Sequence, residues 1–593
     1  MKFRWSPALP QPLLAGQLAS KLGISTLLVQ CLVNRGFSEP AAIGQFLKPR
    51  LKNLADPFLL PNMAAAIERL LRARESGEPL VVFGDYDVDG VTSTALLLEV
   101  LRPLGWRVDF YLPNRMDEGY GLSGDGVDNC LKKFPTTLLL AVDCGSTAVE
   151  TIAGLRKRGV EVIVLDHHQV SSPAPAAVAL VNPQLDVSDK GQVTGDTKAA
   201  HPVTRHPSPV TQFVELCSAG LAFKLAHALV KRGREIVLPG AAEFDLRPLL
   251  DLVALGTIAD IVPLTGENRI LVSAGLERLN QTQRPGIVAL KKVAQSPEKL
   301  GAYDVGFQLA PRLNAAGRLE TAEDALNLLL AKTLEEASPL AQNLDSRNRE
   351  RQKIERGIVE EVTGLVRSKF NPQTDFVIVE GQLLWHIGVV GIVASRVLQE
   401  FYRPTIIIGG EGGEWRGSGR SIAGFDLAAA LRECGDLLLR HGGHAMAAGL
   451  SIAPDKIDLL CQRLNEIARR KLRPEDLQPP LRLDAEVGLD EMNFDSLAEL
   501  DHLKPTGQGN PAAQFCARHL LHQRPLQRIG AEKRHVKMWV TDGMTTHEAV
   551  WWNSGEKSLP VGRFDLAFAP QINEFNGSRT VQLKILDWQP TDL

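Results

Sequence analysis

Three acidic residues stand at alternate positions directly after an apolar run, in the segment GDYDVDG that follows LVVF. They are Asp85, Asp87 and Asp89. Where a buried strand ends, this spacing places several carboxylates near one point, at the edge where doubly wound sheets hold ligands. Carboxylates this close raise one another's pKa unless a cation is bound. An Asp-rich surface turn is the plain alternative, whereas a calcium loop is disfavoured because Leu96 stands where that loop needs a bidentate Glu.

Two later apolar runs also end in side chains that could hold a cation. LLLAVDCG supplies Asp143, and VIVLDHH supplies Asp166, His167 and His168. The carboxyl ends of parallel strands meet at one edge of a sheet, so these groups are expected to converge. Asp260, in the apolar segment GTIADIVPL, needs a partner of its own because a buried unpaired carboxylate is costly.

A donor set rich in oxygen with some imidazole suits Mn²⁺ or Mg²⁺. Five or more acids with His are too many for one ion, and two ions can activate a water and stabilise both the attacking and the leaving oxygen of a phosphoryl centre. The seven cysteines form no C-x-x-C pair, which argues against a thiolate zinc site and a disulfide framework. The pattern therefore predicts two-metal hydrolysis of a phosphodiester or pyrophosphate.

The length of 593 residues predicts several domains, and short apolar runs alternate with helical stretches from Leu80 onward. Continuous apolar strands favour a doubly wound, parallel α/β sheet, and a second α/β pattern forms a separate lobe. Short runs near the C-terminus favour an OB-like β-barrel. The predicted boundaries are an N-terminal segment at 1–50, the catalytic domain at 51–330 with an exposed insertion at 186–212, a connecting helix at 331–370, the second lobe at 371–473 and the barrel at 481–593.

Composition excludes several classes of protein. Lys+Arg total 66 against 69 for Asp+Glu, so a polyanion would have to meet a local basic patch rather than a basic surface overall. The N-terminus lacks an apolar core of signal-peptide length, and no stretch of about 20 apolar residues follows. We therefore expect a protein of the reducing cytoplasm, with no membrane partner.

The motifs GDYDVDG, AVDCG, LDHH and GTIADIVPL resemble those of the DHH phosphoesterase superfamily. The rest of the chain is similar to its bacterial RecJ branch, the single-strand-specific 5′→3′ DNA exonucleases. LPNRMDEGYGLS, APRLNAAGRLE, WHIGVVGIVASR, GSGRSI, HGGHAMAAG and TGQGNP occur in the order expected for that branch. The resemblance spans roughly residues 50 to 590 and implies a role in DNA recombination and repair, beside a helicase and a single-strand binding protein.

The resemblance also implies roles for individual residues. The two metals would be held by Asp85, Asp87, Asp89, Asp143, His167 and Asp260. His168 would ligate or contact the scissile phosphate, and Asp166 would orient the imidazoles. Many DHH enzymes carry a His four residues before Asp87; that position is Phe83 here, and Asp85 would take its place.

Phosphate and nucleotide contacts follow from the same resemblance. They would come from Arg115, Arg312, Ser418 and Arg420, with His444 contacting the nucleotide. Arginine suits this role because its planar guanidinium binds phosphate oxygens bidentately. Without the resemblance, a surface salt bridge explains Arg312 equally well.

The C-terminal region combines basic residues with tryptophan, as OB-folds that bind single strands do. Each Trp alone is better explained as barrel core. The residues concerned are Arg518, Arg524, Arg528, Lys533, Arg534, Lys537, Trp539, Trp551 and Trp552.

Three functions compete. The first is a metal-dependent exonuclease specific for single-stranded DNA. The second is a DHH phosphodiesterase acting on short oligonucleotides or cyclic dinucleotides, and the third is a catalytically silent DNA-binding scaffold. The second class generally lacks a C-terminal barrel, and degenerate metal motifs would mark the third. Because the acids and histidines of all four motifs are intact, the sequence favours the exonuclease.

Overall fold

The computed structural model describes residues 3–114, 117–119, 121–185, 213–319, 321–411, 414–555, 557–575 and 577–591. The predicted insertion at 186–212 and Arg115 lie outside the described residues. The chain divides into two compact units. Unit 1 comprises Met1–Ile43, Glu350–His502 and Ala512–Leu593, and unit 2 comprises Gly44–Arg349 and Leu503–Pro511.

The strands and main helices have the following bounds. The strands are β1 (Arg4–Pro7), β2 (Leu80–Gly84), β3 (Val108–Tyr111), β4 (Leu138–Val142), β5 (Glu161–Leu165), β6 (Ala179–Val181), β7 (Ile378–Leu383), β8 (Thr405–Glu411), β9 (Glu414–Arg420), β10 (Leu438–His444), β11 (Ala447–Ile452), β12 (Pro480–Leu483), β13 (Ala485–Glu486), β14 (Phe515–Ile529), β15 (His535–Thr541), β16 (Thr546–Trp551), β17 (Phe564–Phe575) and β18 (Ser578–Pro590). Helices of seven residues or more span Pro12–Leu22, Thr26–Asn34, Pro40–Leu47, Met63–Ser76, Val88–Leu101, Gly124–Lys133, Val149–Lys157, Ser218–Glu235, Leu250–Ala259, Gly266–Gln281, Pro285–Ala294, Ala310–Leu319, Glu323–Leu330, Leu334–Lys369, Val390–Phe401, Leu427–Glu433, Ile457–Lys471 and Phe494–Leu500.

Unit 2 is built on a parallel sheet with the strand order β3-β2-β4-β5-β6. Alternate residues of β2 enter two different cores: Val82 packs with helices Met63–Ser76 and Val88–Leu101, and Phe83 with helices Gly124–Lys133 and Val149–Lys157. Both faces are therefore covered, which explains the continuous apolar strands. The predicted doubly wound sheet is confirmed. Its strand order reverses between β2 and β4, the position where such sheets form a crevice for ligands.

A distant segment of the chain completes unit 2. The buried guanidinium of Arg269 donates to the backbone oxygens of Phe46, Leu503, Lys504 and Pro505. The backbone N–H of Leu264 donates to the carbonyl oxygen of Gln508 at 2.8 Å. The TGQGNP motif, which lies in Leu503–Pro511, is thus tied to this unit by backbone-directed hydrogen bonds.

Unit 1 contains a second sheet, ordered β10-β11-β9-β8-β7. Helix Val390–Phe401 and the end of helix Leu334–Lys369 cover one face, and helix Ile457–Lys471 covers the other. The long helix begins in unit 2 and ends in unit 1. These features confirm the predicted second α/β lobe and its connecting helix.

The C-terminal strands of unit 1 form a sheet that closes on itself. Its order is β14-β15-β16-β18-β17, and β17 pairs again with β14. The single parallel pair in this ring joins β16 and β18. The predicted OB-like fold is consistent with this five-stranded arrangement.

Most of the N-terminal segment, for which the sequence predicts no fold, also belongs to unit 1, whose first stretch ends at Ile43. Strand β1 pairs in parallel with β12, with Arg4 opposite Pro480. Within the described residues no single helix is long and apolar enough to cross a membrane; Pro12–Leu22 and Thr26–Asn34, bent by 116°, meet the length and composition criteria only as a pair.

Candidate metal centre

The first acidic motif lies at the carboxyl end of β2, at the reversal point of the sheet. Asp85 and Asp89 are buried and Asp87 is half-buried. Asp87 caps helix Val88–Leu101: its Oδ1 accepts from the backbone N–H groups of Asp89 at 2.9 Å and Gly90 at 3.1 Å. A Cβ at Gly90 would lie 2.4 Å from the carbonyl oxygen of Asp85, so only glycine allows the loop to fold back this tightly.

Asp143 follows β4 and is fully buried beside the first motif. Its backbone adopts φ +64°, an unusual conformation for a residue with a side chain. The backbone N–H donates to the carbonyl oxygen of Leu165, and Oδ1 accepts from Ser218 Oγ at 2.9 Å. Strained backbone of this kind is typical of positions where a side chain must point in one direction.

The start of helix Ser218–Glu235 holds Asp89. The backbone N–H groups of Ser218 and Ala219 donate to its Oδ2 and Oδ1 at 2.7 and 2.8 Å. A carboxylate at a helix N-terminus is stabilised by these N–H groups and by the helix dipole. Asp89 is thereby fixed in place although it is buried.

His167 lies at the centre of the acidic groups. Its Nε2 is 3.5 Å from Asp143 Oδ1, 3.6 Å from Asp260 Oδ2 and 3.9 Å from Asp89 Oδ2. Asp260 follows the last turn of helix Leu250–Ala259. The four residues come from the ends of two strands, the end of one helix and the start of another.

Asp166 is buried and holds the histidine pair. Its Oδ1 accepts from the backbone N–H groups of His167 and His168 and lies 2.8 Å from His168 Nδ1, while its Oδ2 accepts from the backbone N–H of Ser146. These bonds outweigh the burial of Asp166 and hold the pKa of its carboxyl well below the usual range.

The two adjacent histidines have opposite protonation properties. Burial lowers the pKa of His167 to about 4, so its ring is neutral at pH 7 and able to ligate a metal. Burial also acts to lower the pKa of His168, but the hydrogen bond and charge of Asp166 overcome it and raise that pKa to about 9. His168 is therefore cationic at pH 7, which suits contact with a phosphate.

Burial and the charges of neighbouring carboxylates raise the pKa values of three of these acids. Burial and the charge of Asp87 raise the pKa of Asp89 to about 6, and burial with the charge of Asp89 raises that of Asp260 to about 9. The pKa of Asp143 is raised well above its usual range for the same reasons. Without a cation, Asp260 therefore holds its proton at neutral pH, and Asp89 takes one up as the pH falls through about 6.

The donor set fits divalent cations. Three groups have ligand atoms within 4.8 Å of one another: Asp143 with His167 and His168, Asp89 with His167 and Asp260, and Asp85 with Asp87 and Asp143. His167 Nε2 and Asp260 Oδ2 are buried and take no hydrogen bond from the described residues. Buried polar atoms without partners, within an oxygen-rich set, match what Mn²⁺ or Mg²⁺ requires.

Several residues that position the acidic and histidine side chains were not predicted from the sequence. Ser218 contacts Asp143, and Asn182 Nδ2 donates to both Ser146 Oγ and the carbonyl oxygen of His168. Asn314, within the quoted motif APRLNAAGRLE, accepts from the backbone N–H of Val88. Asn314 could have been noticed in the sequence because it is a polar residue among small ones in that motif. Nothing in the sequence distinguishes Ser218.

Arg312 lies on helix Ala310–Leu319 in unit 2. That helix packs against the acidic loop, since a Cβ at Gly317 would lie 2.6 Å from the carbonyl oxygen of Tyr86. Arg312 Nε is 2.8 Å from Asp345 Oδ1, so the salt bridge named as the alternative is present. The ion pair itself leaves the predicted phosphate contact untested.

Unit 1 brings Ser418, Arg420 and His444 together. Arg420 and His444 both lie opposite Ala447, on either side of it in the sheet, and Arg420 donates to Ser418 Oγ at 3.1 Å. Helix Val390–Phe401 begins beside them: a Cβ at Gly391 would lie 3.0 Å from Ser418 Oγ. A helix start next to serine and arginine is suited to an anion such as phosphate.

The tryptophans of the C-terminal sheet divide between two roles. Trp551 is buried, as the core interpretation predicts, whereas Trp552 is 44% exposed. Arg524 stacks over the ring of Trp539 at 3.4 Å. A partly exposed Trp and an Arg–Trp stack offer the surfaces on which nucleobases stack.

The comparisons with known proteins agree with this architecture. The chain matches the DHH family, N-terminal domain over residues 79–257, the DHHA1 domain over 374–470 and the RecJ OB domain over 483–587. It is 37% identical over 603 residues to the single-stranded-DNA-specific exonuclease RecJ of Bacillus subtilis, covering 100% of this chain and 72% of that protein. It is 38% identical over 561 residues to the corresponding RecJ of Dickeya dadantii, covering 91% and 92%.

Solved structures give the same result. The crystal structure of RecJ from Thermus thermophilus in complex with Mn²⁺ matches with a TM-score of 0.81 at 30% identity, over 100% of this chain and 80% of that one. Its Mg²⁺ complex matches with a TM-score of 0.75 at 28% identity, over 100% and 79%. The doubly wound sheet with acids and histidines at its strand ends defines a DHH-type phosphoesterase. The chain belongs to the RecJ family of single-stranded-DNA-specific exonucleases.

Proposed function

We propose that the chain is a metal-dependent exonuclease that degrades single-stranded DNA from the 5′ end to 5′-mononucleotides. The observation that carries the proposal is the placement of His167 Nε2 within 3.5–3.9 Å of three carboxylates at the reversal point of a doubly wound sheet. Two bound Mn²⁺ or Mg²⁺ ions would supply a water of lowered pKa and stabilise charge on the phosphoryl oxygens. Asp85, Asp87, Asp89, Asp143, His167 and Asp260 would hold them.

The surrounding residues have separate tasks in this proposal. Asp166 holds the ring of His168 through Nδ1, which keeps the ring cationic and aims its other edge away from Asp166. A cationic ring beside the scissile phosphate would offset the negative charge of the transition state. Ser418, Arg420 and His444 would bind the 5′-phosphate of the strand and its nucleotide on the second lobe. Arg115 and Arg312 would contact other phosphates of the strand.

A labelled-DNA time course tests the proposal. The full-length protein with Mn²⁺ is given single-stranded DNA labelled at either end, and duplex DNA in parallel. We expect immediate release of a labelled mononucleotide from the 5′-labelled single strand, delayed release from the 3′-labelled one and slow attack on duplex. Asp87→Ala should abolish release, whereas Asp109→Ala, at an exposed position on neighbouring β3, should not.

Other outcomes would support the competing functions. Binding without cleavage in both Mn²⁺ and Mg²⁺ would indicate the silent scaffold. Cleavage confined to oligonucleotides of a few residues would indicate the short-oligonucleotide phosphodiesterase. Early release from the 3′-labelled strand would contradict the proposed polarity while leaving the nuclease activity intact.

The cellular setting is also proposed from the family. We infer action in DNA recombination and repair in the cytoplasm, alongside a helicase and a single-strand binding protein. Seven cysteines without a disulfide support a reducing compartment. Affinity capture with the purified chain as bait, compared before and after nuclease digestion, would show whether those proteins bind directly.

A further inference from the structure

A carboxylate on the long connecting helix holds an arginine of the helix that packs against the acidic loop. Asp345, on helix Leu334–Lys369, accepts from Arg312 Nε at 2.8 Å. The two side chains are only 10% and 15% exposed, so this contact is far better shielded than an ordinary surface ion pair. The other oxygen of Asp345 lies 2.8 Å from Arg349 Nη2.

Two of the three guanidinium nitrogens of Arg312, Nε and Nη1, donate hydrogen bonds within the protein. Nε is bound by Asp345, and Nη1 donates to the carbonyl oxygen of Gln308 at 2.5 Å. Nη2 has no hydrogen-bond partner among the described residues. Because a free Arg side chain loses considerable rotamer entropy on binding a ligand, a guanidinium already fixed in this way needs less ordering.

The helix that carries Arg312 is itself fixed to the acidic motif. Asn314 accepts from the backbone N–H of Val88, and Gly317 packs against the backbone of Tyr86. Arg312 is therefore positioned twice: its backbone by the acidic loop and its side chain by the connecting helix.

We propose that Asp345 is a positioning residue that presents the Nη2 group of Arg312 to a DNA phosphate. This inference rests on the proposed function, because it assigns the open edge of Arg312 to the substrate strand. It also gives the connecting helix a role in substrate binding in addition to joining the two lobes. A purely structural ion pair, which ties that helix to unit 2 without serving the substrate, is the competing explanation.

The salt dependence of KM separates the two explanations. The KM for single-stranded DNA rises with salt according to the number of phosphates neutralised, with a slope of roughly 0.7 per contact on a log–log plot. We expect Asp345→Asn to raise KM about 5- to 10-fold, to leave kcat within about twofold and to flatten the slope by up to roughly 0.7. Arg312→Ala should flatten it by the same amount. The variant that carries both Asp345→Asn and Arg312→Ala should have the same KM and the same salt slope as Arg312→Ala alone.

A neighbouring ion pair supplies the matched control. Asp324 lies 3.2 Å from Arg347 Nη2 and accepts from Asn343, both on the same connecting helix. Asp324→Asn should lower the melting temperature of the protein about as much as Asp345→Asn does, without changing the salt slope.

Each remaining result has a defined meaning. An unchanged slope in Asp345→Asn, or effects of Asp345→Asn and Arg312→Ala that add, would overturn the positioning role and leave only the structural one. An unchanged slope in Arg312→Ala would overturn the inference while Mn²⁺-dependent cleavage still upheld the proposed function. If Asp345→Asn does not fold, Asp345→Ser, which also removes the carboxylate, replaces it, and an unchanged slope in that variant would likewise overturn the positioning role.

Discussion

Asn314 Oδ1 accepts a hydrogen bond from the backbone N–H of Val88 at 3.1 Å, across a separation of 226 residues. Val88 is the first residue of helix Val88–Leu101, and Asp87 takes the next two N–H groups, those of Asp89 and Gly90. The N–H groups at this helix start are thus satisfied by side chains, which fixes the acidic loop before any cation binds.

Removing this acceptor should loosen the acidic loop. We expect Asn314→Ala to lower the free energy of unfolding by about 1–2 kcal/mol, because a buried N–H loses its partner. It should also lower kcat at least tenfold, since Asp87 and Asp89 lose their alignment. Denaturant unfolding and the nuclease time course measure both effects. Asn343→Ala, which removes an exposed hydrogen bond to Asp324, is the control, and equal losses in the two variants would contradict a special role for Asn314.

Two glycines of unit 2 should respond oppositely to alanine. A Cβ at Gly90 would lie 2.4 Å from the carbonyl oxygen of Asp85, whereas a Cβ at Gly154, within helix Val149–Lys157, would have no heavy atom within 4 Å. We expect Gly90→Ala to abolish Mn²⁺ binding measured by calorimetry. Gly154→Ala should preserve it and stabilise the protein by about 0.5–1 kcal/mol, because alanine favours the helix. Normal metal affinity in Gly90→Ala would show that the loop tolerates rearrangement.

Metal binding should depend on pH in a defined direction. The metal-free site holds protons because the pKa of Asp260 is raised to about 9 and that of Asp89 to about 6. Groups with raised pKa stabilise the metal-free fold at low pH and lose that contribution as pH rises through the raised value. The increase in melting temperature caused by Mg²⁺ should therefore grow from pH 6 to pH 8.5, with proton release on binding.

Calorimetry in two buffers of different ionisation enthalpy counts the released protons. Asp260→Asn should reduce that number as well as the affinity. A pH-independent shift in melting temperature would mean that the carboxylates are already ionised in the metal-free protein.

The hydrogen bonds of Arg269 predict a large effect on stability. Arg269→Ala removes the guanidinium donor from the carbonyl oxygens of residues 46 and 503–505, although Asn510 Nδ2 still donates to those of Leu503 and Pro505. Because a buried charged donor that makes four hydrogen bonds is lost, the free energy of unfolding should fall by about 3–5 kcal/mol. Segment Leu503–Pro511 should become a site of limited proteolysis. Arg269→Lys should not restore stability, because one ammonium does not span the same acceptors. Arg247→Ala, at an exposed Arg paired with Asp245, should leave the proteolysis pattern unchanged.

Much of this organisation was predictable from sequence because it depends on local patterns. Continuous apolar runs predicted the parallel sheet. Because polar residues follow those runs, they also predicted that Asp143 and His167 lie at the edge formed by the carboxyl ends of the strands. The contributions of Ser218 and Asp345 were not predictable, since each depends on how a remote helix docks, and docking has no local signature. The protonation of His168 likewise required knowing which atom of Asp166 it contacts.

Pairing of β1 with β12 has a consequence for the order in which the protein folds during synthesis. Arg4 leaves the ribosome long before its partner Pro480, which lies 476 residues further along the chain. At about 5–20 residues per second, the N-terminal strand remains without its partner for roughly 25–95 s. Unit 2 is likewise incomplete until residues 503–511 have been synthesised. A nascent chain halted before residue 480 therefore exposes an unpaired strand edge and lacks the last segment of the catalytic unit, so neither unit is completed until residues 480–511 have been made.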